Sequence, residues 1–362
     1  MAVWSNRTCR KMIAATQALM KPAKVFPRPI YLQIEPTSRC DLNCIMCPRQ
    51  RNLAKNSDMT LKGYLQILDQ TKPFYVNLTG YGEPLLNQEI LEMIKESKKR
   101  GIYVNMSSNF TLLSQSEAVK LAQTGIDLVK LSLDAAKAET YRKIRGADLF
   151  ELVVKHASNF SEIAHRIGRP AFQMVYTLQR DNLPEIEGIV RLAKTINVDY
   201  LFVKPLLVGN LSSNEGLLIG NLERDTASKH LRQASRLSKE LKVNTNLSSL
   251  VSHVSTEWDR HVTGKYNSSS TCTLPFYSCY ISSEGGIRIC CNADSAEYDL
   301  GNVYDDGFQN VWNGEEYRSL RVKFRERIRP YNICDSCDIP SSFSARPDGL
   351  ITKAVWSIIK SL

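Results

Sequence analysis

Short apolar runs alternate with amphipathic segments through much of the chain. The apolar runs lie at 30–35, 74–79, 102–107, 127–134, 171–178 and 199–206. Between them, apolar residues recur at helical spacing over 61–71, 87–100, 115–124, 138–167 (with a break near Gly146) and 183–196. Six strand–helix repeats predict an α/β fold in which helices cover a parallel sheet. In closed folds of this kind, chemistry gathers at the carboxyl ends of the strands.

Polar residues and glycines mark the ends of two predicted helices. Either Ser114 or Ser116 can accept a hydrogen bond from the first turn of the helix over 115–124. Gly101 follows the preceding helix, where a glycine readily takes the left-handed conformation of a C-cap.

The segments outside the repeats divide the chain further. Prolines after Met20 end an N-terminal helix that we expect to begin near Cys9. A helix over 222–242 precedes a linker rich in Ser, Asn and Thr. The predicted units are an N-terminal helical leader over 1–28, the repeats over 29–221, a linking helix and linker over 222–264, a small domain over 265–345 and an amphipathic helix over 346–362. We expect the last helix to dock on the protein, although peripheral membrane contact is the alternative.

Composition narrows the class of protein. The chain has 362 residues, enough for two domains, and no apolar run reaches the ~18 residues of a membrane helix. It shows no cleavable signal, so we expect a cytoplasmic location. The net charge is +10, but the basic residues are dispersed and few aromatics accompany them, which argues against nucleic acid. The one dense basic run, Arg318 to Arg329, is typical of a solvated helix face.

Three cysteines follow the first predicted strand directly. Cys40, Cys44 and Cys47 have a C-x3-C-x2-C spacing. Three thiolates on one loop can hold three irons of a [4Fe–4S] cluster and leave the fourth iron open to a small molecule. The alternatives are three free thiols or a zinc loop, which usually needs four ligands in two close pairs.

This triad resembles that of the radical S-adenosylmethionine (SAM) superfamily. The resemblance implies a partial, six-stranded (β/α)6 barrel of the TIM type. It also implies that SAM chelates the fourth iron and is reductively cleaved to methionine and a 5′-deoxyadenosyl radical. That radical abstracts hydrogen from a substrate C–H bond. A flavodoxin- or ferredoxin-type protein is the reductant that we expect.

Three later strand ends resemble the SAM pocket of that family. Gly80, Gly82 and Glu83 correspond to the motif that holds the SAM amino group, with Tyr81 inserted. Further candidates are Ser108 and Asn109 after strand three, Ser132 and Arg145 for the ribose or carboxylate, and Met46 near the adenine. Taken singly, each of these residues fits a role in a turn, a strand-end cap or an ion pair as well as it fits a role in SAM binding.

A second cysteine set lies near the C-terminus. Cys272, Gly285 and Cys290, followed by the pair Cys334 and Cys337, resemble the SPASM/twitch domain appended to many radical SAM enzymes. The resemblance implies one auxiliary [4Fe–4S] cluster held by these four cysteines, and a zinc site is the runner-up. The Glu-Gly-Gly step before Ile287 suits a hairpin turn.

Three further side chains are candidates for catalysis. Cys279 and Cys291 each have three alternative roles: a buried thiol, a substitute cluster ligand or a donor of a hydrogen atom to a substrate radical. Lys204 lies in an apolar strand, where it either faces the cavity as a substrate-binding or acid–base group or points outward.

These observations predict a metal-binding oxidoreductase or epimerase. The 28-residue leader is shorter than the leader-recognition domain of many peptide modifiers, so we expect a small, sugar- or cyclitol-like substrate. The alternatives are a peptide-modifying maturase and a non-enzymatic iron–sulfur electron-transfer protein.

Overall fold

A computed structural model describes residues 7–50, 56–206, 215–219, 224–256, 272–334 and 337. Eight strands in these ranges form one sheet in the order β6-β5-β4-β3-β2-β1-β7-β8. The strands are β1 (Tyr31–Ile34), β2 (Tyr75–Leu78), β3 (Tyr103–Ser108), β4 (Leu128–Ser132), β5 (Ala171–Leu178), β6 (Tyr200–Pro205), β7 (Ser278–Ile281) and β8 (Ile287–Arg288). All neighbours pair in parallel except β7 and β8.

Among the described residues, one helix precedes β1, at least one helix follows each of the first six strands as the sequence predicts, and two follow β8. The helices are α1 (Arg7–Met20), α2 (Leu61–Thr71), α3 (Ile90–Lys99), α4 (Gln115–Gln123), α5 (Ala138–Arg145), α6 (Phe150–Ile167), α7 (Ile186–Ile196), α8 (Arg224–Glu240), α9 (Leu247–Thr256), α10 (Phe308–Trp312) and α11 (Glu315–Arg325). The predicted six-stranded partial barrel is thereby confirmed. None of the described helices is long and apolar enough to cross a bilayer.

Local chemistry explains the helix ends. The hydroxyl of Ser114 accepts from the amide of Glu117 and caps α4. Gly146 ends α5 with φ +76°, a conformation that side chains with a Cβ rarely adopt. This left-handed residue divides the predicted helix over 138–167 into two.

Alternation along each strand gives the sheet one apolar and one polar face. On β2, Val76 and Leu78 are fully buried in the main core beneath the helices, whereas Tyr75 and Asn77 face the opposite side. The strand register continues this alternation across the sheet. We call the polar face the lumen, and its side chains include Gln33, Asn77, Asn105, Ser107, Lys130, Ser132, Gln173, Thr177, Lys204 and Tyr280.

Aromatic side chains close the amino-terminal end of the lumen. Tyr31 and Tyr75 pack with Ala14 and Ala18 of α1. The ring of Tyr103 lies 5.5 Å from that of Tyr75. The N-terminal helix therefore serves as a plug beneath the barrel.

The C-terminal part of the chain extends the barrel sheet. Strand β7 pairs in parallel with β1, and β8 returns antiparallel to it. The predicted hairpin turn is present, with Gly285 at φ +90° and its amide 2.9 Å from the carbonyl oxygen of Ser282. The sequence did not predict the pairing of β7 with β1, because pairing between strands so distant along the chain leaves no local signal.

Two expectations about the C-terminal half were wrong. Helix α9 lies where we expected only a linker, with Leu247 and Leu250 buried in the core. Arg321, in the supposedly solvated basic run, is fully buried. The predicted helix over 346–362 lies outside the described residues, as do parts of the loop over 208–221.

Arg321 connects three parts of the chain. Its guanidinium lies over the rings of Trp312 and Tyr317, at 4.4 and 4.3 Å from their centroids. It donates to the carbonyl oxygens of Pro275 and Ala23 at 2.8 and 3.3 Å. Burial lowers the pKa of this group to about 10. The side chain thus joins α11 to the start of the C-terminal domain and to the segment after α1.

We expect Arg321→Ala to lower the free energy of unfolding by about 3 kcal/mol, because it removes buried hydrogen bonds and ring contacts together. Urea denaturation followed by circular dichroism measures this loss. Arg318→Ala, on the exposed face of the same helix, is the control and should change stability by less than about 0.5 kcal/mol. Equal effects of the two substitutions would contradict the assigned role.

Candidate active site

The cysteine triad lies on a loop at the carboxyl end of β1. The amide of Cys47 donates to the carbonyl oxygen of Cys44 at 3.0 Å, and the amide of Ile45 donates to Ile144 at the end of α5. Cys44 is buried, and the other two thiols are half-buried. Burial raises the pKa of Cys40 to about 12 and also raises that of Cys47. Thiolates in this position need a cation, which is the condition that an iron–sulfur cluster fulfils.

Glycines let the loop after β2 pack against the cysteine loop. A Cβ on Gly82 would overlap the carbonyl oxygens of Thr37 and Arg39. A Cβ on Gly80 would overlap the side chain of Glu35. The lack of a side chain at these two glycines lets the protein's own backbone and side chains approach closely. Their contribution to a SAM site is therefore to place Glu83.

Glu83 is a carboxylate buried at the same end of the sheet. It accepts from the amides of Asn109 at 2.7 Å and Leu85 at 3.2 Å, and from the hydroxyl of Ser108. Burial raises its pKa to about 7, and no ion pair to it occurs among the described residues. A desolvated carboxylate in these surroundings is suited to accept hydrogen bonds from the ammonium group of an amino acid.

Ser108 and Asn109 act mainly on other residues of the site. Both hold the carboxylate of Glu83, as described above. The side-chain amide of Asn109 also donates to Asp41 at 2.8 Å, and Thr111 donates to the second oxygen of Asp41. The end of β3 is therefore tied to the cysteine loop through Asp41.

Arg145 reaches the triad from the end of α5. Its Nη2 lies 2.6 Å from Oδ2 of Asp134, and its Nη1 donates to Sγ of Cys44 at 3.6 Å. Its Nε is buried and has no hydrogen-bond partner in the part of the chain that the structure describes. Ser132 lies two residues before Asp134, half-buried at the end of β4. A guanidinium so fixed can offer its free donor to a carboxylate beside the cysteines.

Met46 borders the site on another side. It packs with Leu206, Leu217 and Leu218 near the end of β6. Most of the predicted SAM-pocket residues lie at or just after the carboxyl ends of the strands, and Arg145 approaches them from the end of α5; their role in binding SAM stays a prediction.

The C-terminal cysteines form a second thiol-rich site. Burial is the largest cause that raises the pKa of Cys290. The neighbouring thiols of Cys291, Cys337 and Cys272 raise this pKa further. The amide of Cys337 donates to the carbonyl oxygen of Cys334 at 3.3 Å, the same turn that Cys44 and Cys47 make. Half-buried thiols that interact with one another fit a shared cationic group such as a [4Fe–4S] cluster. Among the described residues no three His, Cys, Asp or Glu side chains form a ready site for one metal ion.

The catalytic candidates are placed differently from one another. Cys279 points to the helix-covered side of β7, beside Leu32 in the core, and burial raises its pKa. It is therefore separated from the lumen by the sheet, and packing is the role that its position supports. Lys204 is exposed on the lumen side, opposite Thr177. Cys291 is half-buried, and its carbonyl oxygen accepts from the hydroxyl of Tyr81.

Two family models match the chain. The radical SAM superfamily matches residues 34–193, which include the triad. The SPASM iron–sulfur cluster-binding domain matches residues 272–338, which include the second cysteine set. The chain carries a radical SAM domain followed by a SPASM domain. These domains imply [4Fe–4S] clusters and SAM, which confirms the predicted cofactors.

Curated relatives match part of the radical SAM/SPASM chain. It is 29% identical over 183 residues to the tungsten-containing aldehyde ferredoxin oxidoreductase cofactor-modifying protein of Pyrococcus furiosus, covering 49% of this chain and 51% of that protein. It is 28% identical over 198 residues to a probable GTP 3′,8-cyclase of Saccharolobus islandicus, covering 52% and 62%. The chain thus spans 51% and 62% of the lengths of these two relatives.

Solved structures share the fold over a longer range. SuiB of Streptococcus suis, bound to its precursor peptide SuiA, matches with a TM-score of 0.62 at 17% identity, covering 86% of this chain and 70% of that one. The structure of native anSMEcpe with bound AdoMet and Cp18Cys peptide matches with a TM-score of 0.60 at 19% identity, covering 91% of this chain and 96% of that one. At these identities the likeness establishes the fold.

Sequence reasoning missed three residues that hold the site together. Asp41 connects the cysteine loop to β3, and Asn292 donates to Sγ of Cys337 at 3.5 Å. Tyr81 joins Glu35 through its amide and Cys291 through its hydroxyl. The only signal was their position beside a cysteine or between the two glycines, because each contact joins segments far apart in sequence.

Affinity for SAM should fall as pH decreases. Only the carboxylate form of Glu83 pairs with an ammonium, and a pKa of about 7 leaves about one site in ten ionised at pH 6. We expect the Kd for SAM, measured by calorimetry, to rise about tenfold between pH 8 and pH 6. Glu83→Gln should bind weakly at both values, and a pH dependence that persists in this variant would refute the assignment.

Gly82→Ala should disturb the first cysteine site selectively. The added methyl group displaces the backbone at Thr37 and Arg39, so we expect the variant to lose about four irons per chain. Iron analysis after anaerobic reconstitution measures the loss. Gly216→Ala is the control, because the nearest atom of another described residue to its added Cβ is Nη1 of Arg180 at 3.8 Å. Full iron content in Gly82→Ala would show that the loop tolerates the shift.

Proposed function

We propose that this protein is a radical SAM enzyme that modifies a peptide substrate. The observation that carries the proposal is the convergence of the Cys40, Cys44 and Cys47 thiols with the buried Glu83 carboxylate above a polar lumen. One side of this arrangement suits an iron–sulfur cluster, and the other suits the ammonium of SAM. In this proposal the lumen below holds the substrate away from bulk water.

Each part of the site has a separate task in this reaction. When bound, the cluster and SAM supply a 5′-deoxyadenosyl radical that removes hydrogen from a C–H bond. Glu83 accepts from the SAM amino group, and Arg145 offers its free Nε–H to the SAM carboxylate. Ser108 and Asn109 keep Glu83 oriented. The tyrosine plug below and the packed helices around the sheet keep water from the substrate.

A peptide is favoured over the sugar- or cyclitol-like substrate that we first expected. SuiB and anSMEcpe, which share the fold over most of this chain, are both found with bound peptides. The P. furiosus relative is described as a cofactor-modifying protein. None of these comparisons supports a sugar, so the peptide-modifying alternative becomes the main proposal.

The second cysteine set completes the proposal. We assign Cys272, Cys290, Cys334 and Cys337 to one auxiliary [4Fe–4S] cluster, which would accept or pass the electron of the substrate radical. Cys290 is preferred to Cys291 because it packs in the same apolar clusters as the other three cysteines. Lys204, at the open end of the lumen, remains our candidate for an acid–base group.

Anaerobic reconstitution tests the enzymatic proposal. We expect about seven to eight irons per chain and, after reduction, the formation of 5′-deoxyadenosine from SAM. Cys44→Ala should lose about half of the iron and all of the 5′-deoxyadenosine. A wild-type protein that holds all the iron but releases no 5′-deoxyadenosine would instead support a non-enzymatic electron-transfer protein.

Paired variants of the adjacent cysteines test the auxiliary site. Cys290→Ala should lose about four irons per chain while the triad keeps its own, whereas Cys291→Ala should keep all of them. Iron content and Mössbauer spectra measure both. The reverse result would assign the ligand to Cys291, and one zinc per chain would overturn the auxiliary cluster.

A further inference from the structure

We propose that buried amide side chains midway along the barrel strands form a subsite for an amide group of the substrate. This inference rests on the proposed function, because it specifies which substrate chemistry the lumen recognises. The subsite is defined by Asn77, Asn105 and Gln173, with the buried ring of Tyr280 beside them. It lies below the strand ends that carry the triad and Glu83.

The strand register places these side chains in two neighbouring layers of the lumen. Asn77 pairs with Asn105 across β2 and β3, and Gln33 joins Asn77 to Tyr280. One step nearer the carboxyl ends, Lys130 pairs with Gln173 across β4 and β5. Neighbouring strands lie about 4.8 Å apart, so paired side chains can contact one ligand together.

Polar atoms in these layers are buried without partners. Among the described residues, Oδ1 of Asn77 and Oδ1 of Asn105 have no hydrogen-bond partner. The oxygen and the nitrogen of the Gln173 amide have none there either, whereas the hydroxyl of Tyr280 interacts with Glu35. Asn77 is 6% exposed, Asn105 2% and Gln173 1%. Buried polar groups in native proteins are almost always paired, so this concentration on one face indicates a ligand.

The subsite lies between the aromatic plug at one end of the lumen and the cysteine loop at the other. Directly below Asn77 lies Tyr75, which belongs to the aromatic plug with Tyr31 and Ala14. Above the layers lie Ser132 and the cysteine loop. A substrate group bound to the amides would therefore be the part remote from the reacting carbon, held between the plug and the cofactor site.

The donors and acceptors match a neutral amide better than a charged group. The side-chain amide of Gln173 offers an N–H donor and a C=O acceptor in one plane. A peptide or side-chain amide can form hydrogen bonds with both groups at once. The Asn oxygens add acceptors for N–H groups. Glu35, the carboxylate at the end of β1, already accepts from Tyr81 and Ser283. Lys130 also faces these layers beside Gln173, and the acceptors that the amide side chains present are themselves uncharged, as the N–H of an amide requires.

Binding of N-acetylglycinamide to the full chain, reconstituted anaerobically, tests the inference. Methyl glucoside is the polyol probe for comparison, and ligand-observed NMR titration gives both affinities. We expect the amide to bind and the glucoside not to bind. Gln173→Leu should weaken amide binding at least about tenfold, since it removes two hydrogen bonds. Gln123→Leu makes the same change on the exposed end of α4 and should leave binding unaltered.

Thermal unfolding of the same variants separates recognition from architecture. Replacing an unpartnered buried amide with an apolar group of similar shape should leave the unfolding midpoint unchanged or raise it. A midpoint lowered by several degrees in Gln173→Leu would show a structural role and overturn the subsite. Preference for the glucoside, or amide binding unchanged in Gln173→Leu, would overturn it as well.

The inference and the proposed function fail in different ways. Wild-type protein that forms 5′-deoxyadenosine but does not bind N-acetylglycinamide would refute the subsite and leave radical SAM activity intact. Wild-type protein with full iron that forms no 5′-deoxyadenosine would refute the proposed function, and the substrate subsite with it.

Discussion

The structure depends most on acidic side chains that are buried at the carboxyl ends of β1 and β2. Burial raises the pKa of Cys40 and of Glu83, and no ion pair to Glu83 occurs among the described residues. Such groups are costly to ionise until a cation arrives. Iron beside the thiols and the ammonium of SAM beside the carboxylate would supply such cations, so the site is arranged for its cofactors before they bind.

The surrounding loops are packed to keep this arrangement rigid. Gly82 lets the loop after β2 touch the backbone of the cysteine loop, and Asp41 fastens that loop to the end of β3. Arg145 reaches the sulfur of Cys44 from α5. Four consecutive strand ends therefore support one another, which explains why residues predicted as direct ligands also hold the neighbouring residues in place.

The two cysteine sites belong to one continuous structure. Strand β7 extends the barrel sheet beside β1, and the ring of Tyr81 lies 6.2 Å from that of Tyr280 on β7. The hydroxyl of Tyr81 reaches the carbonyl oxygen of Cys291. The inserted tyrosine thus bridges the loop that carries Glu83 and the SPASM domain. A contact of this kind gives the auxiliary site a fixed position relative to the lumen.

Much of the fold and part of the site were determined by local sequence. Alternating apolar runs predicted the six parallel strands, and the triad spacing predicted its chemistry, because periodicity and ligand spacing are short-range properties. Only the tertiary structure decided that β7 joins β1, that Arg321 is buried, and that Cys279 lies on the helix side of the sheet. The amides of Asn77, Asn105 and Gln173 also became neighbours only through strand register. Contacts between distant segments depend on packing of the whole chain, which no local pattern records.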